Sequence, residues 1–138
     1  MHPDSPTLRT LRVVLIVLGL TFIVGLYPLT QFWPAGWAWT PAQPEYLQMI
    51  LAIYATLGVF LLRAAREPLK SLSLIWFTVW SSVAHGLVMA VQVLRDPTER
   101  GHLPGDVLVL FVVAVVLGLL TARATGSAET MPHAASAA

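Results

Sequence analysis

The chain has 138 residues, of which 57% are hydrophobic and only 11% are charged, and its formal net charge is +1 at pH 7. Soluble domains average roughly 25% charged residues, so this composition excludes an ordinary water-soluble globule. Cysteine is absent, which excludes disulfides, thiolate metal sites and thiol nucleophiles. No basic run is present that would bind nucleic acid. Four long apolar runs, each close to the ~20 residues that cross a bilayer, predict an all-α transmembrane four-helix bundle.

The bundle is expected to have a disordered segment at each end. The first ten residues are polar and include two prolines, and the last fifteen are rich in Ala, Ser and Thr, a composition typical of disorder. The predicted limits are 1–10 for the lead, 11–123 for the bundle and 124–138 for the tail, with spans at about 11–32, 45–63, 71–94 and 105–122.

The first span contains Pro28, which leaves the carbonyl of Val24 without its helical donor and predicts a kink. The connector that follows, residues 33–44, holds three tryptophans and three prolines but no Lys or Arg. Tryptophan favours the headgroup region, so we expect the connector to lie along the membrane interface. It is either an aromatic belt, the commoner use of such residues, or a lid over a binding pocket.

The second span has one small and polar side, which we expect to face the bundle, and one apolar side, which we expect to face lipid. The inward side would carry Gln48, Met49, Ala52, Thr56, Val59 and Arg63, and the outward side Ile50, Leu51, Tyr54, Leu57 and Leu61.

The third span carries a polar stripe, and at 100° per residue its members share about a third of the helix circumference. Such a stripe has to face protein, ligand or water. Small residues repeat every four positions in this span and in the fourth, so we expect the two spans to pack closely. The stripe consists of Thr78, Ser81, Ser82, His85, Met89 and Gln92, opposite Trp76, Val83, Leu87 and Leu94.

Basic residues are distributed unequally between the two sets of helix ends, and the positive-inside rule places the richer set in the cytoplasm. Both termini are then cytoplasmic, in what we expect to be a bacterial inner membrane. The cytoplasmic set is Arg9, Arg12, Arg63, Arg66, Lys70 and Arg123, against Arg95 and Arg100 on the other side.

His85 is the first candidate site, because it lies near the middle of its span, where even a neutral imidazole needs a partner. It can ligate a haem, relay a proton or hold the polar head of a quinone-like ligand. Equally, it can hydrogen-bond a serine or a carbonyl and join two helices. No second mid-span histidine is present for a bis-histidine haem, and no cofactor is indicated. Ser81, Ser82, Met89 and Gln92 are its candidate companions, with Glu45 and Gln48 from the second span.

A second candidate is a polar cluster near the outer ends of the spans. Carboxylates beside a histidine can act as general acid and base, or they can form ion pairs that fix a loop to the helix ends. The spacing matches no metal motif. The cluster consists of Arg95, Glu99, His102 and Asp106.

The second half of the chain resembles uncharacterised bacterial families of small four-span integral membrane proteins. The resemblance rests on residues 63–68 (RAAREP), 74–86 (LIWFTVWSSVAHG) and 99–103 (ERGHL), and it covers about residues 45–121. It implies a four-helix membrane fold and a bacterial origin, with no activity to carry over. A looser likeness to the DoxX-like group rests on architecture alone.

These observations favour a non-enzymatic binding or accessory subunit that holds a lipid-soluble ligand or a membrane complex. The alternative is a small membrane enzyme that acts on a lipid-like substrate by acid/base chemistry near the outer membrane face. Expected partners are membrane lipid, further copies of the chain or a larger membrane complex.

Overall fold

The computed structural model describes residues 5–39 and 43–129, with side chains described as far as residue 126. Short 3₁₀ and π-helical turns connect or extend six α-helices. The elements are α1 (Pro6–Leu20), a π-helical turn (Thr21–Gly25), α2 (Leu26–Phe32), α3 (Pro34–Trp37), α4 (Pro44–Ala64), a 3₁₀ turn (Pro68–Lys70), α5 (Leu72–Arg95), a 3₁₀ helix (Pro97–His102), a π-helical turn (Leu103–Val107) and α6 (Leu108–Glu129).

Four helical stretches in the described part of the chain are long and apolar enough to cross a membrane. They are Pro6–Phe32, Pro44–Ala64, Leu72–Arg95 and Pro97–Gly126. The predicted all-α four-helix membrane fold is therefore confirmed, and the chain is a multi-pass membrane protein. In the first span the predicted irregularity takes the form of the π-helical turn, which lies just before Pro28 and includes Val24.

The helices extend beyond both predicted limits of the bundle. α1 begins at Pro6, because Ser5 Oγ accepts a hydrogen bond from the Leu8 amide at 3.2 Å and proline suits the first helical position. Residues 6–10, predicted as disordered lead, are therefore helical. At the other end α6 continues to Glu129, since its Ala-rich sequence favours helix. The rest of the predicted lead and tail, residues 1–4 and 130–138, lies outside the described residues.

The spans pack as two close pairs. α5 and α6 form the most extensive helix contact, which confirms the predicted packing of the third and fourth spans, and α1 forms the second most extensive with α4. α1 also contacts α6, whereas the contact between α4 and α5 is the least extensive of the four. A Cβ placed on Gly58 would lie 2.6 Å from the carbonyl oxygen of Gly19, so the α1 and α4 backbones touch at this point.

The two ends of the bundle differ in packing. One half contains the helix ends near Arg12, Arg63 and Lys70 and is here called the basic end. It contains the main core. The other half, here called the tryptophan end, contains α3 and residues 97–107 and has a smaller cluster around Met89 and Leu110. The main core includes the fully buried Leu11, Leu15, Leu61, Ile75 and Leu117.

The inward face of α4 is opposite to the predicted one. Met49 and Val59 are exposed, while Gly58 and Leu61 are buried. The prediction placed polar and small residues inside, but Thr56 faces outward because its hydroxyl donates to the Ala52 carbonyl of its own helix at 2.9 Å. The close approach at Gly58 therefore sets which face meets the bundle.

Replacing Gly58 by alanine is expected to destabilise the bundle by about 1–3 kcal/mol, the usual cost of overpacking, because the α1 and α4 backbones would have to separate. Gly118→Ala is the matched control, since its Cβ would meet only Val79 and Trp76 side-chain atoms at 3.8 and 3.9 Å. The measurement is reversible unfolding of both variants in mild detergent. Equal stability of the two variants would contradict this description of the helix contact.

Candidate functional site

A cavity of about 370 Å³ lies between all four spans in the half of the bundle at the tryptophan end. Its wall is almost entirely apolar, and the polar exceptions include Tyr54, His85 and Asp106. Phe22 and Val113 of the main core form part of this wall, so the cavity borders that core. The apolar wall includes Leu18, Phe22, Leu26, Leu51, Leu110 and Val113.

Tyr54 and His85 form the polar pair in this wall. The Tyr54 hydroxyl lies 2.7 Å from His85 Nδ1, and the hydrogen bond joins α4 to α5 where these helices otherwise make little contact. Phe22 holds the tyrosine ring edge to face, with centroids 5.0 Å apart. Tyr54 lies ten residues after Pro44 and His85 ten residues before Arg95, so both are about 15 Å from those helix ends. That depth is near the middle of a bilayer core about 30 Å thick.

The hydroxyl groups of the α5 stripe are satisfied within α5 itself. Thr78 Oγ1 donates to the Leu74 carbonyl at 2.9 Å, and Ser82 Oγ donates to the Thr78 carbonyl at 2.7 Å. Ser81 Oγ also donates to the Thr78 carbonyl, at 3.2 Å. Such bonds let a hydroxyl lie in an apolar membrane interior without another partner. Within the stripe, His85 is therefore the polar group bonded to another helix.

The tryptophan end of the cavity is covered by α3 and Trp39, which pack against residues 97–107. Side chains at Gly101 and Gly105 would collide with the backbone carbonyls of Ala35 and Gly36, so only glycine permits this contact. The covering segment supplies Trp37 and Trp39 to the cavity wall. The described residues 33–39 of the connector thus lie next to a cavity.

His102 fixes this cover. Its ring is fully buried and stacks on Trp39, with centroids 4.3 Å apart and planes at 16°. Nδ1 lies 3.0 Å from both carboxylate oxygens of Asp106, and Nε2 lies 3.4 Å from Oε2 of the buried Glu99. A carboxylate can only accept, so Nδ1–H donates to Asp106. The predicted outer cluster thus contributes a buried histidine held between two carboxylates.

Arg95, the remaining member of the cluster, and its neighbour Asp96 lie on the exposed side. Asp96 accepts hydrogen bonds from the amide and the hydroxyl of Thr98 at 3.0 and 2.6 Å, and these bonds lower the pKa of the Asp96 carboxyl. Arg95 is exposed at the end of α5. Asp96 thus caps the 3₁₀ helix that presents Glu99 and His102.

The structure brings some of the sequence-predicted site residues together and separates others. His85, Met89 and Asp106 line the cavity between the spans. Gln92 lies beside it, in a neighbouring cavity between α4 and α5. The predicted residues that line neither cavity are Ser81, Ser82, Glu45, Gln48, Arg95, Glu99 and His102.

The main residue that sequence reasoning missed is Tyr54, which was assigned to the lipid-facing side of its span. Its equal depth with His85, counted from the two helix ends, is a signal that could have paired them. The cover also depends on Gly101 and Gly105, which the sequence shows only as turn residues. Trp37 was missed as well: its Nε1 is buried and finds no hydrogen-bond partner in the described part of the chain.

Replacing His102 by leucine is expected to loosen the cover and cost about 2 kcal/mol or more, because Asp106 loses a buried hydrogen-bond donor and Trp39 loses its stacking partner. Hydrogen exchange of the α3 amides should rise in this variant, and unfolding should occur at lower temperature. Arg100→Leu, an exposed change in the same segment, is the matched control. Unchanged α3 exchange in the histidine variant would show that the cover does not depend on His102.

Comparison with protein families gives a match over nearly the whole chain. The model of the family of unknown function DUF6632 matches residues 5–137. Comparisons with curated proteins and with solved structures gave no match. The DoxX likeness and the bacterial origin stay predictions, whereas the expected membership of an uncharacterised family is confirmed. The four-helix membrane protein described above belongs to the family of unknown function DUF6632.

Proposed function

We propose that this protein is a non-enzymatic binding or accessory protein that holds a lipid-soluble ligand in the cavity between its four spans. The observation that supports this function is the Tyr54–His85 pair on the wall of a largely apolar cavity of about 370 Å³. Small-molecule sites are commonly of this size and combine apolar walls with a few polar groups. Placing polar side chains at mid-membrane depth costs free energy, so side chains found there commonly have a function such as ligand binding.

The hydrogen-bonding groups of the wall favour a ligand with an acceptor oxygen. If Tyr54 donates to Nδ1, His85 keeps an N–H at Nε2, and if Nδ1 donates, Tyr54 keeps its O–H. Either tautomer therefore leaves one donor on the pair. Trp37 Nε1–H, a donor only, is buried without a partner at the same cavity. A quinone or another carbonyl-bearing lipid is the class of ligand that these donors suit.

The proposal also includes the membrane in which the protein lies, its orientation there and its partners. The membrane would be a bacterial inner membrane, and the distribution of arginine and lysine favours both termini in the cytoplasm. With this orientation the cavity would lie in the outer leaflet. Membrane lipid would surround the bundle, and further copies of the chain or a larger membrane complex are the proposed partners of an accessory subunit.

Tyr54→Phe is expected to weaken ligand binding about 5- to 10-fold, since it removes one hydrogen-bonding hydroxyl and keeps the ring. The probe is decylubiquinone, added to protein in lipid nanodiscs. Its binding is followed by quenching of Trp37 and Trp39 fluorescence after the exposed Trp33, Trp76 and Trp80 are replaced by phenylalanine.

Tyr27→Phe is the control for this measurement. It makes the same chemical change at a side chain that is 61% exposed and lines neither cavity. A dibrominated phosphatidylcholine serves as a second quencher, so that a phospholipid ligand is distinguished from a quinone-like one. The proposal fails if neither probe quenches Trp37 and Trp39 in the starting protein. If the Tyr54→Phe and Tyr27→Phe proteins bind the probe with equal affinity, the Tyr54 hydroxyl does not contribute to binding.

A second candidate function is supported by Asp106, which lines the cavity and accepts a hydrogen bond from His102. A carboxylate paired with a histidine is a common acid/base unit, so a small membrane enzyme acting on a lipid-like substrate is the alternative. Glu45, another acid/base candidate, is exposed and outside the cavity. Incubation with membrane lipid extract would then yield a new product by mass spectrometry that Asp106→Asn does not form. The absence of any product with the unmodified protein would exclude this alternative for the lipids present.

A further inference from the structure

A second cavity opens beside the first, in the crevice between α4 and α5. Its volume is about 540 Å³, and it is lined by residues of both helices and of the α3 segment. The least extensive contact between neighbouring spans lies along this crevice. The two cavities are adjacent and share six wall residues: Trp37, Trp39, Leu47, Ile50, His85 and Met89.

The outer rim of the crevice faces the region of the lipid chains. Ile50 and Val88 line it and are exposed by 44% and 57%. Ile50 lies six residues after Pro44, and Val88 seven residues before Arg95, so both are about 10 Å from those helix ends. That distance lies within one leaflet of a hydrocarbon core about 30 Å thick. The opening is therefore apolar and at the depth of acyl chains.

Over the first cavity, the described residues of the tryptophan end form a cover. The backbones of α3 and residues 97–107 meet at Gly101 and Gly105, and the Trp39–His102 stack covers the space beneath. The buried ring of His102 holds this cover in place, since moving it would break its hydrogen bond to Asp106 and its stack on Trp39. A ligand that entered the first cavity through the cover would have to break these contacts, whereas the crevice between α4 and α5 is open to a ligand dissolved in the membrane.

We infer that the ligand enters sideways from the bilayer, between α4 and α5, and passes Met89 and Ile50 to reach the Tyr54–His85 pair. This inference rests on the proposed function. It restricts the ligand to molecules that partition into the hydrocarbon region before binding, such as a quinone or another apolar lipid with a carbonyl near one end.

The route is tested by linking α4 to α5 across the crevice. The chain has no native cysteine, so Ile50→Cys/Val88→Cys can be joined selectively with a cleavable bifunctional maleimide in the folded protein. The linked protein should take up decylubiquinone at least 10-fold more slowly than the unlinked one, by quenching of Trp37 and Trp39, and cleavage of the linker should restore the rate. Tyr46→Cys/Gln92→Cys provides a second pair at the same crevice.

The control link joins Val91→Cys to Val112→Cys, on exposed positions of α5 and α6 that line neither cavity. It should leave the uptake rate unchanged. Uptake that stays fast in both crevice-linked proteins would overturn the lateral route and leave the binding function intact. Failure of decylubiquinone to bind the unlinked protein would instead contradict the proposed binding of this probe, and with it the route.

Discussion

The close contact between the backbones of Gly19 and Gly58 determines the shape of this bundle. It draws α4 against the first span, while α5 is drawn against α6, where a Cβ on Gly86 would lie 3.2 Å from Phe111. The helices therefore form two close pairs, joined by the contact between α1 and α6. The remaining seam, between α4 and α5, has little contact, and the cavity lies beside it. The location of the cavity thus depends on which pairs of helices can pack closely at a glycine.

The polar groups of the bundle follow a second constraint, which is that lipid satisfies no hydrogen bond. Thr56, Thr78 and Ser82 meet this requirement by donating to carbonyls of their own helices, so their positions indicate little about function. Tyr54 and His85 satisfy each other across the open seam and still keep one donor between them. A pair of this kind both joins the two helices and offers a binding group, which explains why structural and functional interpretations of His85 are difficult to separate from sequence.

The sequence predicted the four spans, the close packing of α5 with α6 and the inward stripe of α5, because length, apolar content and small-residue spacing act locally along a helix. It failed on the inward face of α4, since that face is set by Gly19, a residue of another helix. The partnership of Tyr54 with His85 was missed for the same reason. The outer polar cluster was identified as a group, but the burial of His102 depends on contacts of α3 with Gly101 and Gly105, which no periodicity in the sequence indicates.

The central claim is that the cavity beside Tyr54 and His85 holds a lipid-soluble ligand. Native mass spectrometry of the protein purified in mild detergent, together with its absorption spectrum, tests this claim most directly. We expect one small apolar adduct per chain that is retained until the helices unfold. The absorption spectrum should be of the quinone type if the ligand belongs to that class. A chain mass without any adduct, under conditions that preserve the folded bundle and after purification from native membranes, would contradict it.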